Sequence, residues 1–213
     1  MDAESQVPES VDSAKDVLSI LSTVSANHKV ETLATTLSQL RRWMGSDLAE
    51  VEAGLAAIEH RDTPVHDSAR HLLSQKGKRL RPLCVALAAR VGSGFGATAR
   101  ELAIAVELVH SATLLHDDVI DLGDKRRGVD TARVIYGNAG SIYAGDWLLV
   151  DALRRIQRVG IPGLLDKSLS VLHEILEAEA LQLANRGNVR GTVADYFRIV
   201  EGKTASLFRW ALF

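Results

Sequence analysis

The sequence predicts an all-α fold in a single domain. Three observations carry this. From Leu33 onward apolar residues recur every three or four positions, the period of a helix face. No stretch between turn signals alternates apolar and polar residues as a half-buried strand does. Only four prolines interrupt 213 residues, of which 46% are hydrophobic, enough for a sizeable core.

Residues 1–32 are rich in Ser, Asp, Glu and Lys and read as a flexible leader, with a short helix around Val17 to Val24. The domain is expected over residues 33–213. Leu33, Leu37, Leu40, Met44, Leu48, Val51 and Leu55 form one apolar stripe and hence one helix. Asp62-Thr63-Pro64 reads as a helix start, with Thr63 as the cap and Pro64 at the first helical position. Pro82 is expected to open the next helix, which runs to about Val91 before GSGFGATA breaks the chain. A long helix is expected from Thr98 to Ile120, and others over 139–159, 163–185 and 193–212. Thr192 with Asp195 resembles a capping box for the last.

Bulk properties exclude several classes. A net charge of -2 gives no overall attraction to nucleic acid or to an anionic membrane, so phosphate binding has to be local. Cys84 is the single cysteine, which excludes an internal disulfide framework and suits a reducing cytosol. The start MDAESQVPES lacks the basic and apolar regions of a secretory signal. No apolar run approaches the roughly 20 residues of a membrane span. The expectation is a cytoplasmic protein without stable membrane insertion.

The chemistry concentrates in LLHDDVIDLGDKRRG. On a helix Asp117 and Asp121 stand one turn apart on one face, and Asp118 points roughly 100° away. Stacked carboxylates at a helix C-terminus repel each other and oppose the helix dipole, and a divalent cation relieves both. Hard oxygen donors favour Mg²⁺ held by one or two carboxylates plus substrate phosphates. Calcium-loop spacing fails, since ligand position three falls on Ile120, and no Cys or His pair accompanies the cluster for zinc. An ordinary solvated helix end fits the bare D-D-x-x-D spacing equally well. Arg126 and Arg127 follow, and Gly77-Lys78-Arg79-Leu80-Arg81-Pro82 forms a second basic cluster. Lys78 and Arg81 near a helix N-terminus suit a phosphate, although alone the cluster reads better as a solvated loop. His110, two turns before Asp117 on nearly the same face, fits a core histidine and a ligand contact equally.

GKRLRP, ELVHSATLLHDDVIDLGDKRRG, YAGDWLL, EAEALQL and FRIVEGKTASLF stand in an order and at a spacing that resemble the trans-isoprenyl diphosphate synthases, also called polyprenyl synthetases. The resemblance covers about residues 35–213. It implies a helical bundle around a deep central cavity, usually a homodimer. Its activity joins isopentenyl diphosphate to an allylic diphosphate, with release of pyrophosphate. By the same resemblance Asp117 and Asp121 hold Mg²⁺ and the allylic diphosphate, with Asp118 in support and Arg126 as a further contact. Lys78, Arg81, His110 and Arg127 form the isopentenyl diphosphate seat. Lys203 and Thr204 lie near the allylic diphosphate and the developing cation. Gln182 and Asp146 match family positions without an assigned role. Ala112 and Thr113, five and four residues before Asp117, are both small, which leaves the floor of the pocket open and points to long-chain products.

The family also carries a second D-D-x-x-D after the Lys-Thr step. This chain reaches Trp210-Ala211-Leu212-Phe213 without one, and the last helix is expected to be unfinished there. The expectation is therefore a C-terminally incomplete domain, with Leu207, Leu212 and Phe213 uncovered, poorly soluble and essentially inactive alone. Two other readings compete. A non-catalytic subunit of a heteromeric synthase has no need of Asp117, Asp121, Lys78 and Arg81 together. A class I terpene cyclase has no isopentenyl diphosphate for GKRLRP to bind.

Overall fold

The structure is a computed structural model that describes residues 17–75, 77–188 and 190–213. Among these are nine α-helices: α1 (Val17–Asn27), α2 (Glu31–Ala56), α3 (Pro64–Ser74), α4 (Leu80–Val91), α5 (Ala97–Ile120), α6 (Ala132–Val159), α7 (Leu164–Ala184), α8 (Val193–Val200) and α9 (Ser206–Ala211). A π-helical turn, Glu201–Ala205, joins α8 to α9. The all-α expectation holds with one exception, a two-residue antiparallel pair of β1 (Lys125–Arg126) and β2 (Val129–Asp130). Arg127 and Gly128 between them both take positive φ, 54° and 82°, as the tight turn of a hairpin requires. Strands this short show no periodicity in a sequence.

Helix α5 is the axis of the bundle. Its Ile104, Leu108 and Leu115 are at most 1% exposed and pack with Leu148 of α6, Ile175 of α7 and Trp210 of α9. Burying one such side chain contributes about 1.5–3 kcal/mol. Small residues set the α5–α6 approach: a Cβ on Gly145 would stand 2.4 Å from Nε2 of His116. Ser141 of α6 donates to the Leu115 carbonyl at 2.8 Å. Trp210 donates to Ser168 at 3.0 Å, closing α9 onto α7.

Helix boundaries differ from expectation where a cap or glycine intervenes. Thr63 caps α3 as expected, accepting from the His66 amide at 3.3 Å. Helix α4 starts two residues before Pro82, which sits in the first turn, where its missing N–H costs nothing. Gly137, at φ 79°, kinks α6 and sets off one turn ahead of the expected start at 139. The expected 193–212 helix is broken by the π turn. Helix enters the expected leader: α1 packs on α2, with Leu18 at 3% exposure beside Met44, while residues 1–16 lie outside the described residues. Leu207, expected to be uncovered, is 5% exposed because α9 folds back on α4 and α7, whereas Leu212 and Phe213 are exposed. Among the described residues no helix is long and apolar enough to cross a membrane.

Candidate functional site

Helix α5 carries both His110 and Asp117, and seven residues separate them by about 10 Å along its axis. Asp121 is the C-terminal cap, its amide bonded to the Asp117 carbonyl at 2.8 Å. Asp118 turns away from this face, as its angular offset requires, and is 5% exposed. The hairpin brings Arg126 back to it: Nη2 donates to Oδ1 at 2.8 Å and Nε to both oxygens at 3.2 Å. A buried carboxylate demands such a partner. Asp118, expected in support of the metal ligands, and Arg126, expected as a diphosphate contact, are thus bound to each other and fix the hairpin against α5.

That hairpin aims Arg127 at the GKRLRP loop. Its guanidinium nitrogens lie 3.2 and 3.5 Å from where a Cβ on Gly77 would stand. Arg81 stacks over the Phe208 ring at 4.6 Å, and its Nε is buried without a hydrogen-bond partner. Burial pushes the Arg81 pKa down. His110 is pushed down to about 3, by burial first and then by Arg81, Arg126, Arg127 and Arg79, so it is neutral at pH 7. Lys78, Arg81, His110 and Arg127, the four expected at one seat, all line one cavity of about 1340 Å³ between α2, α3, α4 and α5. The aspartates do not line it.

The acidic end has its own counter-ion. The π turn presents Lys203, whose Nζ lies 2.7 Å from Glu179 of α7 and 3.7 Å from Asp117. Burial raises the Asp117 pKa, Lys203 opposes this, and Glu179 and Asp121 add to the rise. Burial lowers the Lys203 pKa, but bonding to Glu179 and the nearby Asp117 win, leaving a net rise. Arg186, just past α7, is ion-paired with Asp121. Thr204 is exposed beside Lys203, and Gln182 is half-buried on α7. Asp146 lies 3.2 Å from Nε2 of His116. Ala112 sits in the apolar core at 2% exposure, and Thr113 donates to the His110 carbonyl at 2.8 Å.

Hard oxygens with a cation already among them fit Mg²⁺ chemically. Among the described residues no three or more His, Cys, Asp or Glu side chains stand close enough to hold a metal alone. An ion that takes one or two carboxylates and completes its shell with phosphate and water needs no more.

Four residues to which the sequence reading gave no role of their own matter here: Glu179, Arg186, Arg79 and Glu107. Glu107 left a signal, a lone carboxylate in the apolar run AIAVELVHSA, since a buried charge needs a partner. The partners of the other three are 24 to 65 residues away, beyond the reach of local spacing.

The polyprenyl synthetase family model matches residues 62–212. The chain is 34% identical over 176 residues to the octaprenyl diphosphate synthase of Escherichia coli (strain K12), covering 82% of this chain and 54% of that protein. It is 35% identical over 172 residues to heptaprenyl diphosphate synthase component 2 of Geobacillus stearothermophilus, covering 80% and 54%. Among solved structures, polyprenyl synthase from Caulobacter crescentus CB15, complexed with calcium and isoprenyl diphosphate, superposes with a TM-score of 0.77 at 35% identity. That alignment covers 82% of this chain and 54% of the other. The chain thus spans about half the length of these relatives.

Proposed function

This chain belongs to the polyprenyl synthetase family, and from that premise we propose that it serves the Mg²⁺-dependent condensation of isopentenyl diphosphate with an allylic diphosphate to a long-chain trans-polyprenyl diphosphate. The observation that carries this is the sorting of charge along one face of α5. Carboxylates with an ammonium stand at its end, and a cationic seat opening on a cavity stands two turns back.

In this reading the allylic C–O bond breaks and its electron pair leaves on the diphosphate. The double bond of isopentenyl diphosphate attacks the allylic cation, and loss of a proton forms the new double bond. Asp117 and Asp121 would hold Mg²⁺, which would supply Lewis-acid stabilisation of the leaving diphosphate. Lys203 stays protonated beside Glu179 and Asp117 and offers a fixed positive charge there. Arg126, held by Asp118, adds its field at Asp117. Lys78, Arg81 and Arg127 bind the second diphosphate, with neutral His110 as a polar neighbour. Thr204 lies on the allylic side. Apolar walls keep water from the cation.

Removing a metal ligand is the direct test. Asp117→Ala should weaken Mg²⁺-dependent binding of a non-reactive allylic diphosphate analogue by at least about tenfold in titration calorimetry. Unchanged affinity would refute the metal assignment.

We further place the protein in a reducing cytosol, consistent with the free thiol of Cys84, and as a homodimer. The dimer reading is supported by the exposed apolar stripe of Ile135, Ile142, Tyr143 and Val150 on α6. A second reading, one subunit of a two-component synthase, is favoured by the relative named component 2. Turnover by the purified protein alone, given Mg²⁺ and both diphosphates, would exclude the second.

A further inference from the structure

Arg79 lies between the two cations of the GKRLRP loop and lines the same cavity, yet its guanidinium is taken up by protein partners. Its Nη1 donates to Glu107 at 2.6 Å, its Nε to Glu52 at 2.7 Å and its Nη2 to the Leu73 carbonyl at 3.2 Å. The Arg79 side chain is 12% exposed and that of Glu107 7%. The backbone at Arg79 is left-handed, φ 46° and ψ 37°, an unfavourable conformation for a residue with a Cβ. Its carbonyl nevertheless starts α4, accepting from the Leu83 amide at 3.0 Å. Three elements, α2, α3 and α5, thus hold this one side chain and impose the turn.

The cost of that turn has a counterpart in charge. Glu52 and Glu107 both line the cavity that Lys78, Arg81, His110 and Arg127 line. Glu107 stands one turn before His110, and its charge is felt at Arg81. Lys78 and Arg81 have no described carboxylate within ion-pair distance, while Arg79 engages both Glu52 and Glu107. Without Arg79, Glu107 would be left buried and unpaired, with Arg81 as its remaining cation, and the seat would lose the positive charge that draws an anion.

We propose that Arg79 is a positioning residue: by engaging Glu107 and Glu52 and imposing the left-handed turn, it keeps Lys78 and Arg81 free for a diphosphate. This rests on the reading of that seat given above. A purely structural tether would tie α2, α4 and α5 together without affecting the affinity of a folded protein for an anion.

The two are separated by titrating isopentenyl diphosphate into the full chain by calorimetry, with a thermal melt for each variant. Arg79→Gln should weaken binding by about tenfold or more. Adding Glu107→Gln in the same chain should restore affinity to within about threefold of wild type, because the competing carboxylate is then gone. The double variant carries a neutral pair and remains informative where Arg79→Gln alone fails to fold. Equal binding by wild type and Arg79→Gln would overturn the proposal, as would a folded double variant no tighter than Arg79→Gln or, lacking that, far weaker than wild type. Wild type that takes up no isopentenyl diphosphate would instead refute the seat, and this inference with it.

Discussion

His110 couples the seat to pH. Its folded pKa of about 3 lies well below the ordinary 6.5, because burial and four arginines disfavour its charged form. The sign follows by linkage: the unfolded chain takes up a proton below 6.5 and the folded chain does not. The stability this confers is complete above pH 6.5 and is lost as pH falls toward 3. Between pH 7.5 and 5 the loss amounts to at most about 2 kcal/mol. His110→Asn should therefore shrink the fall in melting temperature between those two pH values relative to wild type. An equal fall in both proteins would show that His110 titrates normally. A diphosphate bound beside it cancels part of the arginine field and should raise its pKa.

The π turn decides where Lys203 points. Five residues, Glu201–Ala205, are wound wider than an α-helix, and such insertions concentrate at functional positions. Gly202 is what lets this turn lie on α7: a Cβ there would stand 2.6 Å from Cβ of Ala178 and 2.9 Å from the Glu174 carbonyl. Backbone cannot give way as a flexible side chain can. Gly202→Ala should destabilise the protein by about 1–3 kcal/mol and displace Lys203 from Glu179. Urea unfolding reads the first effect. Weakened binding of an allylic diphosphate analogue reads the second, and wild-type values in both would remove the turn from the site. The hairpin after α5 is a comparable device, since Arg126 on Asp118 sets where Arg127 reaches.

Product length and assembly belong to the enclosed space and the outer surface of the whole fold. Ala112 is packed in the core five residues before Asp117, and by the family resemblance the growing tail passes this position along α5. In the completed enzyme Ala112→Phe should shorten the chromatographed product relative to wild type, and unaltered product length would exclude this position from setting it. The stripe on α6 leaves Ile142 39% and Tyr143 61% exposed, which suits a like surface from a second copy. Ile142→Lys should shift the sedimentation of the protein from dimer to monomer. A wild type that sediments as a monomer would refute the dimer.

The sequence by itself determined the helices, because apolar spacing, Thr63 and Pro64 act within a turn or two of chain. It also placed Asp117 and Asp121 on one face and grouped Lys78 with Arg81, since these relations span at most four residues. What it could not determine were the pairings across the bundle. Asp118 belongs to Arg126, Asp121 to Arg186, Lys203 to Glu179, and Arg79 to Glu107 and Glu52. The hairpin, the π turn and the buried Leu207 escaped it for the same reason. Desolvation makes an unpaired buried charge too costly, so each such group takes the partner that packing brings near. Which partner that is depends on how α2, α5 and α7 and the turns beside them lie together, and only the folded chain fixes that arrangement.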